Sequence, residues 1–487
     1  MKTFRLFVPF TLICFALSPA AQAVVPPSDG CYPNFTTAEG CRALQSLTTG
    51  SANTAVGWFS LFGVTTGSFN TALGAGALDL NTADNNTAVG AAALLLNTTG
   101  TNNTANGIAT LVFNNADENT ATGAFALNNN TDGNFNTANG AFALNFNTTG
   151  ARNTAVGDSA LNQNTVGNRN TATGNAALVA NINGSANTAI GAGALFLNTV
   201  SNNTAVGADA LSLNTTGDQN TATGVEALMS NTIGASNTAV GNGTLTSNTT
   251  GNLNVGVGHH ALMSNTTEGG NTAIGSDALI NYTSGGGGNT AIGDQALFAS
   301  TSGVLNIALG FAAGVNVTTA SNTICIGADG ENVSSSCYIG NIFGTTAAGG
   351  VGVIVNAAGK LGTTPSSQRF KEQIKPIAQA SEALFALKPV TFRYKKELDP
   401  TGTVQFGLVA EEVEKVNPDL IVRDKSGKPY SVRYDQVNAM LLNEFLREHS
   451  KVEQMQKQIE ALTAGLQKVS AQLELSKSAP QTVLNNR

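Results

Sequence analysis

Ser366 and Lys371 stand five residues apart in the stretch TTPSSQRFKEQIKP, residues 363–376. A serine hydroxyl becomes a nucleophile when a base takes its proton. A lysine is such a base only if burial or neighbouring charge leaves its amine neutral. The pair therefore has the makings of a Ser/Lys dyad for acyl chemistry, and Ser367 offers a second hydroxyl at a spacing of four. A solvated polar linker would contain the same residue types, and spacing alone does not separate the two.

Other constellations carry less. His259 and His260 are adjacent, and on a strand adjacent side chains point to opposite faces, so no metal site is expected there. Gly285–Gly288 lacks the Lys-Ser/Thr and following helix of a phosphate loop and reads as a lengthened turn. Asp84, Asp117, Asp158 and Asp294 are scattered rather than paired about a cleft, which argues against hydrolysis of an external glycan. No cofactor is implied.

The elements that must position the dyad show in the charge distribution. Between Ala23 and Thr364 the basic residues are Arg42, Arg152, Arg169 and Lys360, whereas eighteen Lys and Arg follow to Arg487. A boundary near residue 360 results, and the weakly cationic stretch before it excludes ordinary nucleic-acid binding. The N-terminal MKTFRLFVPFTLICFALSPAAQA has Lys2 and Arg5 before an apolar run and Ala21-Gln22-Ala23 at its end, the form of a secretory signal peptide. No later segment reaches the roughly 18 apolar residues of a membrane helix. Cys31 with Cys41, and Cys325 with Cys337, are spaced for short bridges in an oxidising compartment, although four cysteines allow three pairings.

The weakly charged stretch is a repeat. Its first Asn recurs from Asn53, Asn70 and Asn86 to Asn306, with a degraded copy at Asn322, in steps of sixteen to eighteen residues. The consensus N-T-A-x-G-x-x-A-L-x-x-N-T-T-G-x-x is too rich in Gly, Asn and Thr for a helix. It predicts two short strand-like pieces per unit, separated by Gly and closed by an Asn/Thr/Gly turn that tolerates positive φ. The near-constant Ala and Leu, such as Ala72 with Leu78 and Ala205 with Leu211, are expected to stack as interior ladders. The variable fourth position is expected to face solvent or another chain. One unit cannot bury its own apolar side but stacked units can, which is the logic of a solenoid. The NTAxGxxAL units resemble the head repeats of trimeric adhesins, and that resemblance implies a left-handed parallel β-roll that associates as a trimer.

After Gly362, QASEALFALKP reads as a helix, VTFRYKK as a strand, VQFGLVAEEVEKVNPDL as a strand leading into a helix, and LIVRDKSGKPYSVRY as a hairpin. From Asp435 a long helix carries Phe445, Val452, Ile459, Leu466 and Leu473 seven apart, with Met455, Leu462 and Val469 between them, the pattern of a coiled coil. The blocks SSQRFKEQIKPI, ALKPVTFRYK, FGLVAEEVEKVNPDL and YSVRYDQVNAMLLNEFL resemble the intramolecular chaperone and auto-processing domain of endosialidase-type phage tailspikes, serine peptidase family 74. The resemblance implies a dyad in S-D-x-R-x-K that cuts the chain beside the serine once a trimer has assembled. By position Ser366 would be the nucleophile and Lys371 the base, with Arg369 fixing the register. Ser367 stands where the family carries Asp and is the alternative nucleophile.

The expected architecture is mainly β: a repetitive parallel β-roll, then a small α+β chaperone domain and a C-terminal coiled coil. Its parts are a signal peptide at 1–23, a cap at 24–50 holding Cys31 and Cys41, repeats at 51–345, a neck at 346–364, the chaperone at 365–440, the coiled coil at 441–478 and a tail at 479–487. The expected function is a secreted or cell-surface homotrimeric fibre, with a possible glycan or cell-surface ligand, whose C-terminal domain drives assembly and cuts itself off as a single-turnover endopeptidase. The alternative is a β-solenoid that binds polysaccharide or ice and carries an oligomerisation domain that does not self-cleave.

Overall fold

The computed structural model describes residues 33–477, so the expected signal peptide, Cys31 and the residues after 477 lie outside the described range. The chain divides after Thr345 into two compact units.

The first unit is a parallel β-solenoid. Nineteen strands of three residues, β1 (Thr37–Glu39) to β19 (Cys337–Ile339), form one sheet in which each pairs with the next in chain order. Thr faces Thr and Ala faces Ala from rung to rung, as in Thr54↔Thr71 and Ala55↔Ala72. At about 4.8 Å per rung the stack runs roughly 85 Å. β1 lies within the segment expected to be a cap, where Thr36 takes the place of the first Asn and is buried.

Period two puts the central Ala of each strand inside and its two neighbours outside. The Ala and Leu ladders are both fully buried, for example Ala155, Ala160 and Leu161. The fourth position faces outward, as expected: Leu73, Ile190 and Leu309 are exposed.

Two features differ from the sequence expectation. The second half of each unit is a turn rather than a strand, because its Leu takes a left-handed conformation on rung after rung, such as Leu78 at φ 53° and Leu94 at φ 52°. Non-glycine residues rarely adopt that region, and alternating it with right-handed residues prevents an extended run. These turns still bond between rungs, with Leu94 N–H donating to Thr110 O at 2.9 Å and Leu96 N–H to Val112 O at 2.9 Å. The turn glycine, in contrast, is not at positive φ. It is required by close approach: a Cβ on Gly150 would lie 2.4 Å from Asn147 Oδ1 and 2.5 Å from Gly167 O.

That approach reflects the main surprise of the core. Both asparagines of the repeat are buried and form two columns, Asn53 to Asn306 and Asn81 to Asn265. In the first, each Oδ1 accepts the backbone N–H of the next Asn, as in Asn70 N to Asn53 Oδ1 at 3.0 Å. In the second, side chains bond directly except between Asn181 and Asn198: Asn147 Nδ2 donates to Asn130 Oδ1 at 2.7 Å and to Gly150 O at 2.9 Å, while its own Oδ1 accepts from Asn164 Nδ2 at 2.8 Å. An amide buried without such partners would cost several kcal/mol. The second column stops where Tyr282 replaces the next Asn; the Tyr282 hydroxyl donates to Gly286 O within the Gly-rich loop.

The expected Cys325–Cys337 bridge is not made, and both thiols are free. Cys325 is opposite Tyr338 and Cys337 opposite Ile324, so one points into the core and the other to solvent. Burial raises the pKa of the Cys325 thiol, and Cys337 adds to that. The Cys31–Cys41 pairing involves a residue outside the described range.

The second unit opens with an antiparallel hairpin, β20 (Val353–Val355) and β21 (Leu361–Thr363). A 3₁₀ segment, Ala378–Ala386, stands where the sequence suggested a helix. The hairpin of β22 (Val390–Phe392) with β23 (Gln405–Gly407) follows, then helix α1 (Ala410–Val416), the hairpin of β24 (Ile421–Arg423) with β25 (Pro429–Val432), and helix α2 (Tyr434–Lys477). A small core of Val413, Leu420, Ile421, Val432 and Met440 holds α1, β24, β25 and the start of α2 together. Beyond that start, α2 presents its heptad residues to solvent: Phe445, Val452, Met455, Ile459, Leu462, Leu466, Val469 and Leu473 are 52–70% exposed. Packing of this stripe on its own domain, the alternative to a coiled coil, is not what the structure has.

Candidate functional site

The seam between repeat and chaperone segments is shaped by two local devices. Asn356 Oδ1 accepts from Ala358 N and Lys360 N, both at 3.0 Å, and Gly359 at φ 82° closes the β20–β21 hairpin. The chain then runs through Thr364-Pro365 to Ser366, and residues Gln368–Phe370 form a single 3₁₀ turn. Ser367 enters the turn extended (φ −63°, ψ 141°) and its carbonyl accepts from Phe370 N at 3.0 Å; Lys371 leaves it extended (φ −127°, ψ 141°).

Folding back over that one turn brings the two ends together. Lys371 Nζ donates to Ser366 Oγ at 3.0 Å, hydrogen-bond distance for a nucleophile and its base. Ser367 makes no side-chain cap bond to the turn it begins, and the lysine bonds the hydroxyl of Ser366. Arg369 stacks its guanidinium over the Phe370 ring at 4.6 Å from the centroid, a cation–π contact that stiffens the turn. Ser366 and Lys371 are both exposed in the single chain.

A second polar cluster was not anticipated from the sequence. Ser381, fully buried in the 3₁₀ segment, donates to Glu444 Oε1 of α2 at 2.5 Å and accepts from Asn443 Nδ2 at 2.7 Å. Arg447 bonds Glu444 at 2.8 Å and Glu382 at 2.9 Å. The Ser381 hydroxyl first, and Arg447 after it, hold the Glu444 carboxyl below the usual range. This cluster ties the segment just after the dyad to the base of the long helix. Its partners lie more than sixty residues apart, so no local spacing signals it.

His259 and His260 also differ from expectation. They sit in a turn after the strand Val255–Val257 rather than on a strand, and their rings lie 3.6 Å apart between centroids. The premise that they must point to opposite faces does not apply.

A family model described as chaperone of endosialidase matches residues 366–422. The match starts at Ser366 and lies within the segment whose blocks resemble that family. No curated protein and no solved structure matches the chain.

Proposed function

We propose that the chain is an exported, homotrimeric fibrous protein whose C-terminal unit templates assembly and then severs itself through Ser366 and Lys371. One observation carries the reading: the 3.0 Å Lys371 Nζ to Ser366 Oγ bond falls at the first residue of the family match. In the cleavage step a neutral Lys371 takes the Ser366 proton as Oγ attacks the carbonyl carbon of a peptide bond beside the serine. The tetrahedral oxyanion collapses to an ester, the C–N bond breaks, and the leaving amine takes the proton from the Lys371 ammonium. Water then hydrolyses the ester.

A lysine amine acts as a base only where burial favours its neutral form, and packing of neighbouring chains over this exposed seam would provide that burial. Cutting is thereby made conditional on assembly. Support for association comes from apolar surface that a lone chain leaves in water. The α2 stripe is exposed along its length, as are Val353, Ile354 and Leu361 of the first hairpin. On the solenoid, the first outward strand position turns from Thr290 to Ile307, which is exposed beside the outward Leu309 and Ile326.

Denaturing electrophoresis tests this. Wild type should release a fragment of about 12 kDa, the share of the 49.5 kDa, 487-residue chain that residues 366–487 represent. Ser366→Ala should stay whole. Lys371→Arg should also stay whole, because a guanidinium keeps its proton, and Ser367→Ala should still be cut. A wild-type trimer that remains intact would overturn self-cleavage.

A second reading rests on the in-register column of outward threonines, Thr54, Thr71, Thr87 and onward, a regular hydroxyl array suited to polysaccharide or ice. It predicts a processing-free rod, monomeric once the tail is deleted, that binds such a ligand.

A further inference from the structure

His260 has φ 57°, a left-handed residue that breaks the alternation of an extended chain. As a result the His259 and His260 rings lie against each other, tilted by 34°, with centroids 3.6 Å apart. Directly above them, one rung on, Asp277 occupies the equivalent place, and its backbone N–H bonds His259 O at 2.9 Å. One ligand atom from each of His259, His260 and Asp277 lies within 4.8 Å of the other two. Below, the equivalent residue is Gly243, and a Cβ there would come within 2.6 Å of His260 Cδ2. The glycine thus makes the room in which the ring lies.

The His260 Nδ1 to Asp277 Oδ1 distance is 3.7 Å, too long for a hydrogen bond. It is close to the roughly 3.3 Å that separates two ligands of a tetrahedral ion with bonds near 2.0 Å. We propose that His259, His260 and Asp277 bind one divalent transition-metal ion of the imidazole-seeking kind, zinc or copper rather than calcium or magnesium, linking two successive rungs of the solenoid. Modest side-chain rotation closes the set, and water fills the remaining position.

The location gives such a link a structural role. The rung of the two histidines reads Val255-Gly256-Val257 in place of Thr-Ala-x, and on the next rung the second Asn column ends at Tyr282. Among the described residues, Asn265 Oδ1 and Asn271 Nδ2 are buried there without hydrogen-bond partners, as are Asp79 Oδ1, Asn181 Oδ1 and Ser300 Oγ on other rungs. A metal bridge spans one of the intervals where the repeat's own cross-bonding is incomplete.

The test is equilibrium binding of Zn²⁺ to untagged full-length protein after alkylation of its accessible thiols, with Co²⁺ as a visible-absorption probe. One equivalent per chain is expected to bind, giving the d–d bands of a low-coordinate N/O site and raising the unfolding midpoint. His259→Ala and His260→Ala should each weaken that equivalent at least tenfold, and Asp277→Asn several-fold. Changing the remaining histidine, His449→Ala, should leave it intact. Alanine at both turn positions already occurs on the Ala91-Ala92 rung, so these variants keep a native turn. Absence of a saturable equivalent in wild type, or its survival in either histidine variant, would overturn the proposal.

Discussion

Ser366 meets Lys371 because a 3₁₀ turn of three residues reverses the chain between them, so a spacing of five in sequence becomes one hydrogen bond in space. That contact was foreshadowed: the types and spacing were suggestive, and the resemblance of the surrounding blocks favoured a dyad over a linker. Glu444 was not legible, since nothing distinguishes it locally from the other acids of a charged helix. Its carboxyl is depressed in the folded unit by Ser381 and then Arg447. The contribution to stability is therefore fully present above the ordinary glutamate value near 4.5 and is lost as pH falls through the lower folded value. Acid titration of the uncleaved Ser366→Ala chain should show the C-terminal unit losing thermal stability below about pH 4.5. In a further Glu444→Gln variant that limb should flatten, and an unchanged limb would show that another group controls it.

At the level of the rung, the stabilising elements are strands too short to stand alone and columns that run from rung to rung. The Ala and Leu columns were readable from their constancy. The asparagines were read as turn formers, because asparagine's preference for turns hides a second use: a side-chain amide both donates and accepts, so it can bond to copies of itself at a fixed rise. The left-handed leucines were unreadable for a related reason, since leucine has no preference for that region and only the stacked context imposes it. Replacing Asn147 by Ala strands Asn130 Oδ1 and takes one of two acceptors from Asn164 Nδ2, which keeps Gly167 O; a stranded buried polar group costs about 1–3 kcal/mol. Asn147→Ala should therefore destabilise the solenoid by about 1–3 kcal/mol, read from the denaturant dependence of unfolding. The outward Thr154→Ala, the control, should move it by well under 1 kcal/mol.

At the level of the whole chain, the proposed function divides the work of folding between slow and fast physics. Each parallel rung must close a loop of a whole repeat, as from Thr54 to Thr71, and leaves an edge open until that neighbour arrives, whereas helices form through contacts four residues apart and quickly. If the helical template is cut away as proposed, the product is protected by its unfolding barrier rather than by an equilibrium it can re-enter. After denaturation and dilution, the uncleaved Ser366→Ala chain should recover its assembly, while the processed rod stripped of its C-terminal fragment should not. Equal recovery would show that the template is dispensable. The solenoid also faces a problem of counting. Regular rungs offer identical partners above and below, so a chain that looped out one whole unit would satisfy both asparagine columns as well as a chain in the correct frame. Sameness strengthens the stack and erases position along it. The Tyr282 rung, the glycine loop beside it and the occasional sixteen-residue step, as from Asn70 to Asn86, restore what the repetition removes. They act as numbered marks on an otherwise blank ruler, against which a frame slipped by one unit no longer fits.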